Sequence, residues 1–151
     1  MIKKFLIVLF FFISSCGYQS IYLNKSLKNY EFQNISFEGD NHVNKKIINI
    51  LSIKENVKDN DKDKLFIKSS YQIKEISRNA KGQVTLYKDI INIDLNIRNI
   101  NNTKIKGKNF NREFTYNNKD NKFDLVEYQK SVKDDLINAA INDIIIFLNS
   151  E

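Results

Sequence analysis

Nucleophilic or acid–base chemistry needs a nucleophile and a base that can reach each other, and this chain has few of either. It contains one cysteine, Cys16, and one histidine, His42. A lone histidine with no second imidazole is more often a surface or capping residue than a base or a metal ligand. There is no glycine-rich phosphate loop. Carboxylates are numerous, but none stands isolated in an apolar stretch that would raise its pKa. The run Asp59-Asn60-Asp61-Lys62-Asp63 has the alternating oxygens of a calcium loop. However, Lys64 stands where such a loop turns on glycine, and Ser70 where it needs a bidentate glutamate. The expectation is a protein that is not an enzyme, holds no metal or cofactor, and works by binding.

Cys16 has another use open to it. Lys3 and Lys4 precede an unbroken apolar run from Phe5 to Ile13, which stops at Ser14, Ser15, Cys16 and Gly17. A basic start, a short apolar run and small residues at a cut are the layout of a secretory signal. The run falls well short of the ~20 residues that a membrane-spanning helix needs. The stretch Ile13-Ser14-Ser15-Cys16 also resembles the bacterial lipobox, which signal peptidase II cuts just before the cysteine. The resemblance implies a signal peptide over residues 1–15 and a lipidated Cys16 carrying S-diacylglycerol and an N-acyl chain. Two or three acyl chains anchor stably where one is marginal. Because Cys16 is the only cysteine, no disulfide is available and the exported part must be held together by its core. Gly17, where enterobacterial retention signals carry aspartate, favours outer-membrane sorting.

The formal net charge is +6, and Lys3 and Lys4 leave with the signal, so the remaining basic excess is mild and spread along the chain. It suits anionic lipid or sugar-phosphate partners; nucleic acid is not expected for an exported chain. Residues 16–29 are poor in apolar positions and read as a tether. Residues 30–151 are long enough for a single domain with its own core.

Within that domain the periodicity predicts an α+β fold. Tyr30, Phe32, Ile35 and Phe37 suggest a first strand whose alternation shifts near Asn34. Gly39-Asp40 breaks it and can cap a helix carrying Val43, Ile47, Ile50 and Leu51 on one face. Residues 54–64 read as a solvated loop. Leu65, Ile67, Tyr71 and Ile73 then alternate with Lys68, Ser70, Gln72 and Lys74, as in a half-buried strand. After a Gly-containing turn at Arg78 to Gly82, a second long strand runs from Val84 to about Ile97, with a parity change suggesting a bulge between Tyr87 and Ile90.

A third strand, Lys104 to Tyr116, places Phe110, Phe114 and Tyr116 on the parity of Lys104, Lys106, Lys108 and Arg112. That face is either a solvated outer face on which aromatics rest, or a surface for an amphiphile with anionic head groups. The last element reads as a long helix. Asp124 and Glu127 form its capping box, Phe123 and Tyr128 its hydrophobic staple, and Leu125, Tyr128, Val132, Leu136, Ala139, Ala140, Ile144 and Phe147 its apolar stripe.

The opening Cys16-Gly17-Tyr18-Gln19-Ser20-Ile21-Tyr22 resembles that of the LPS-assembly lipoprotein family, LptE, as found in alphaproteobacteria. Arg112, Phe114, Asn117, Glu127, Val132-Lys133 and Ala139-Ala140 look like the last strand and helix of that family. The resemblance implies a four-stranded, mostly antiparallel sheet with two helices packed on one face, in β-α-β-β-β-α order. It implies an outer-membrane lipoprotein, facing the periplasm or inside a barrel lumen, that binds lipopolysaccharide and helps to assemble and plug the LptD β-barrel. The family's lipopolysaccharide contact lies at the turn between the two long hairpin strands, which here offers Arg78 and Lys81. The basic strand end at Lys104, Lys106 and Lys108 is the competing site. Near the start of the last helix, a basic family position falls on Asp124. The alternative is an accessory periplasmic lipoprotein of a lipid-transport ABC system.

Overall fold

The computed structural model describes residues 30–59 and 61–150. The signal segment, Cys16 and the tether lie outside them. The elements are β1 (Glu31–Phe32), β2 (Asn34–Gly39), α1 (Asn41–Leu51), β3 (Lys54–Glu55), β4 (Lys64–Arg78), β5 (Val84–Arg98), β6 (Lys104–Asn117) and α2 (Lys122–Asn149). Four strands form one sheet in the order β2-β4-β5-β6. β2 is parallel to β4, and the other neighbours are antiparallel. α1 packs over β2 and β4, α2 over β5 and β6, and the helices touch along their seam. This is the expected α+β architecture.

The core follows from two periodicities meeting. Leu65 and Ile67 of β4 stand opposite Ile97 and Leu95 of β5, and all four are buried with Ile91 and Ile93 on the same face. Val43, Ile47 and Leu51 recur every four residues on α1, and Val132, Leu136, Ala140 and Ile144 do so on α2. Both stripes are buried against that face, and Ile137 and Ile141 of α2 are buried with them. Each large aliphatic side chain so buried contributes roughly 1.5–3 kcal/mol.

The crossover from β2 into α1 depends on Gly39 and Asp40. Gly39 has φ +92°, and a Cβ there would fall 1.8 Å from the Ser69 carbonyl oxygen, so only glycine lets the parallel strands approach. Asp40 caps α1 by accepting from the amides of His42 and Val43 at 2.9 and 3.0 Å. Its other oxygen accepts from Lys133 Nζ of α2 at 3.0 Å, which links the two helices. Burial works against ionisation of this carboxyl, but the Val43 amide and Lys133 outweigh it and hold the pKa below the usual aspartate value.

Several local expectations are corrected. The first strand is two pieces: the parity shift near Asn34 marks the break between β1 and β2, where the Gln33 amide donates to the Asp63 carbonyl. β1 pairs with β3, a two-residue strand inside the stretch expected to be only loop. α2 is capped by Asn121, whose side chain accepts from the Phe123 amide, rather than by Asp124. Asp124 instead lies in the first turn, where its charge suits the helix dipole. Phe123 is 70% exposed, so it does not staple against Tyr128. β5 runs without a bulge from Tyr87 to Ile90; the irregularities flank Ser77 on β4 and fall between Ile97 and Arg98 in the β5–β6 pairing. Asp89 simply occupies a core-facing position that hydrophobic counting had skipped.

Candidate functional site

β4 and β5 outrun the helices. Core-facing burial on β4 ends with Tyr71, and residues 72–80 are all exposed, including Ile73 and Ile76. The hairpin closes with Gly82 at φ +77° and with Asn79 bonded across the turn to Gln83. The end of β6 lies beside this projecting part: Leu86 stands opposite Asn117, and Asn118 bonds to the carbonyls of Val84 and Thr85.

At the root of the projection sits a buried carboxylate. Asp89 is fully buried and accepts from Tyr71 Oη at 2.5 Å and from Tyr116 Oη at 2.7 Å. Hydrogen bonds of this charge-assisted kind are among the strong ones. Tyr116 is also stacked on Tyr87 and Phe114 and meets the edge of Tyr128 at 5.4 Å. Lys133 Nζ lies 4.4 Å from the centre of the Tyr71 ring. Burial, and then the Asp89 carboxylate, push both phenols well above the usual tyrosine pKa. Sequence reasoning missed Asp89 because it sought apolar residues at every core position. The available signal was parity, since Asp89 continues the series 91, 93, 95, 97.

These tyrosines set an alkaline limit to stability. An unfolded tyrosine loses its proton near pH 10, while Tyr71 and Tyr116 hold theirs longer in the fold. Above that pH the unfolded state binds fewer protons than the native one, so stability falls as pH rises. The urea midpoint should therefore be flat from about pH 7 to 9 and drop beyond about pH 10. Tyr71→Phe should show a shallower alkaline drop.

Among the residues expected to bind, Arg78 is already engaged. It pairs with Glu75 and donates to the Gly82 carbonyl at 2.7 Å, closing the turn. Lys81 is exposed at the tip. The basic strand end does not form one site. The β6 irregularity leaves Lys106 opposite core-facing Ile97 but Lys104 opposite Arg98, so Lys104 turns to the uncovered face of the sheet. Lys106 donates to the Ser150 carbonyl at the C-terminus of α2 and lies 4.8 Å from the Phe147 ring centre. Lys108 reaches the rings of Phe110 and Phe147, and Arg112 forks onto Asp143 at 2.7 and 2.6 Å. These three side chains secure the end of α2.

An apolar groove of about 240 Å³ opens between β6 and α2, lined by Phe114, Tyr128, Val132, Asp135, Leu136 and Ala139. Phe114 at its mouth is 46% exposed. Lys119 Nζ stands 4.4 Å from the centre of the Tyr128 ring, and Phe123 and Val126 are exposed nearby in sequence. Neither Lys81 nor Lys119 belongs to an ion pair among the described residues. Exposed apolar side chains beside unpaired cations are what an acylated anion would require.

No protein-family model matches the sequence, and no curated protein does either. Solved structures do match. Rare lipoprotein B from Shewanella oneidensis superimposes with a TM-score of 0.52 at 16% identity, covering 75% of this chain and 90% of that one. A minor lipoprotein from Acinetobacter baumannii gives 0.52 at 16% identity over 76% of this chain and 88% of its own. Lipoprotein B from Nitrosomonas europaea gives 0.53 at 10% identity over 84% and 88%. This chain has their fold. At such identities the likeness is one of fold. Among the described residues no helix is long and apolar enough to cross a membrane.

Proposed function

We propose that this chain is an outer-membrane lipoprotein of the LptE kind, anchored through Cys16, that binds lipopolysaccharide and supports assembly and plugging of an LptD-like β-barrel. It does no covalent chemistry. The observation that carries this reading is the projecting end of the domain: Ile73 and Phe114 lie exposed on one cross-strand row, Ile76 lies exposed further along β4, Lys81 stands at the tip, and Lys119 lies by the Tyr128 ring. Lipopolysaccharide sets phosphates and carboxylates beside acyl chains, so its receptor needs cations next to apolar surface. A hairpin that outruns its helices can reach into a barrel lumen while the core stays packed behind it. The lipobox register of Cys16 and the fold shared with solved lipoproteins support the same reading.

Two experiments test it. Metabolic palmitate labelling should mark the wild-type chain and leave Cys16→Ser unlabelled and uncut; label retained on the serine variant would overturn the anchor. Affinity capture of the full chain from detergent-solubilised envelopes should recover an outer-membrane β-barrel. Recovery of an inner-membrane permease instead would favour an accessory role in lipid-transport ABC systems.

A further inference from the structure

The sheet face opposite the helices carries a feature that goes beyond the lipopolysaccharide reading and stands whether or not it holds. Near the end of the sheet remote from the hairpin turn, an open cleft of about 400 Å³ is walled by Ser36, Phe66, Lys68, Asp94, Asn96 and Arg98, among others. The strand register orders these side chains. Ser36, Phe66 and Asn96 share one cross-strand row, and Glu38, Lys68 and Asp94 the next.

Arg98 is the unusual member. Its guanidinium lies over the Phe66 ring, 4.6 Å from the centroid. Its Nε is buried without a hydrogen-bond partner, and no ion pair among the described residues includes Arg98. Folded proteins meet nearly all their buried donors, and a guanidinium carries five. Two more cations stand directly across from it: Lys64 on β4 and Lys104 on β6. Neither is ion-paired among the described residues. Gly107 leaves room for this arrangement, since a Cβ there would fall 2.3 Å from Lys104 Cε and 2.5 Å from Asn96 Oδ1. The opposite end of the cleft differs in character: there Lys68 pairs with Glu38 at 2.6 Å, and Asp94 faces the same space.

We propose that this cleft binds a phosphate or carboxylate carried on a small polyhydroxylated body, that is, a sugar phosphate or sugar acid. Arg98, seated over Phe66, carries a forked guanidinium suited to two oxygens of one anionic group. Asn96, Ser36 and Asp94 supply donors and acceptors for hydroxyls. The guanidinium stands over the row of Phe66 and Asn96, and positions two apart on a strand are roughly 7 Å apart, so the span from there to Asp94 in the next row suits one hexose bearing its charged substituent.

The test is a titration of the isotope-labelled full chain, in nonionic detergent at low ionic strength, with glucose 6-phosphate, inorganic phosphate and glucose, read by amide chemical shifts. Glucose 6-phosphate should give saturable shifts centred on Phe66, Asn96 and Arg98, inorganic phosphate weaker ones and glucose none. Arg98→Leu should weaken glucose 6-phosphate binding at least tenfold, and Arg98→Lys less. Asn96→Ala, on the uncovered face, should weaken it several-fold and keeps the test decisive if Arg98→Leu does not fold. The proposal is overturned if glucose 6-phosphate gives no saturable shift, if Arg98→Leu and Asn96→Ala bind like wild type, or if the shifts gather at Lys106 and Lys108. Inorganic phosphate binding as tightly as glucose 6-phosphate would overturn the sugar part of it.

Discussion

Asp89→Ala should cost the domain about 3–5 kcal/mol, the range for removing one partner of a buried charged network. The reason is what the carboxylate leaves behind. Tyr71 and Tyr116 both point their hydroxyls at it, so its loss strands two donors, each carrying about 1–3 kcal/mol of desolvation if unmet. The consequence reaches beyond stability. Tyr71 belongs to β4 and Tyr116 to β6, so Asp89 of β5 ties these three neighbouring strands together where the helical cover ends. Chemical denaturation should show a loss for Asp89→Ala that is a large share of the 5–15 kcal/mol typical of a domain. Asp89→Asn, with the same shape and one acceptor oxygen left, should lose less. An unchanged midpoint for Asp89→Ala would mean that the hydroxyls find other acceptors and that the network does not hold the root of the hairpin.

The second large effect is expected in lipopolysaccharide binding. Lys81→Glu with Lys119→Glu reverses the two unpaired cations of the projecting end and touches no ion pair of the fold. Charge-assisted bonds contribute roughly 1.5–3 kcal/mol each, and every 1.4 kcal/mol is about tenfold in affinity. The double variant should therefore bind lipopolysaccharide at least tenfold more weakly in an equilibrium assay while unfolding like wild type. Arg78 is left in place because its loss would also open the turn it closes onto Glu75 and Gly82. Lys106→Gln with Lys108→Gln should do the reverse, loosening the end of α2 with little effect on binding. Binding lost only in that second variant would move the site to the strand end.

The elements with a period of their own were legible in the sequence. Val43, Ile47 and Leu51 on α1 and the stripe from Val132 to Ile144 on α2 are buried as their spacing requires. The alternation of β4 and β5 likewise placed the hairpin and the layer order. Features that depend on one residue or on distant partners were not legible. A two-residue strand such as β3 has no period to detect, and its pairing with β1 is a tertiary fact. The irregularity beside Arg98 reverses the side on which Lys104 points, so three lysines on one parity become two facing the helix and one facing away. Asn121 and Asp124 are both good caps, and only the packed helix decides between them. Arg98 and Phe66 are far apart in sequence, and only strand register makes them neighbours.

Photocrosslinking in living cells tests the central claim most directly. A photoreactive residue at Lys81 or at Phe114 should form adducts that react with antibody to lipopolysaccharide. The same residue at Asn111, on the uncovered face beside Asn92, should not. Adducts at Asn111 alone, or at none of the three while the protein remains lipidated and folded, would contradict lipopolysaccharide binding at the projecting end of the hairpin.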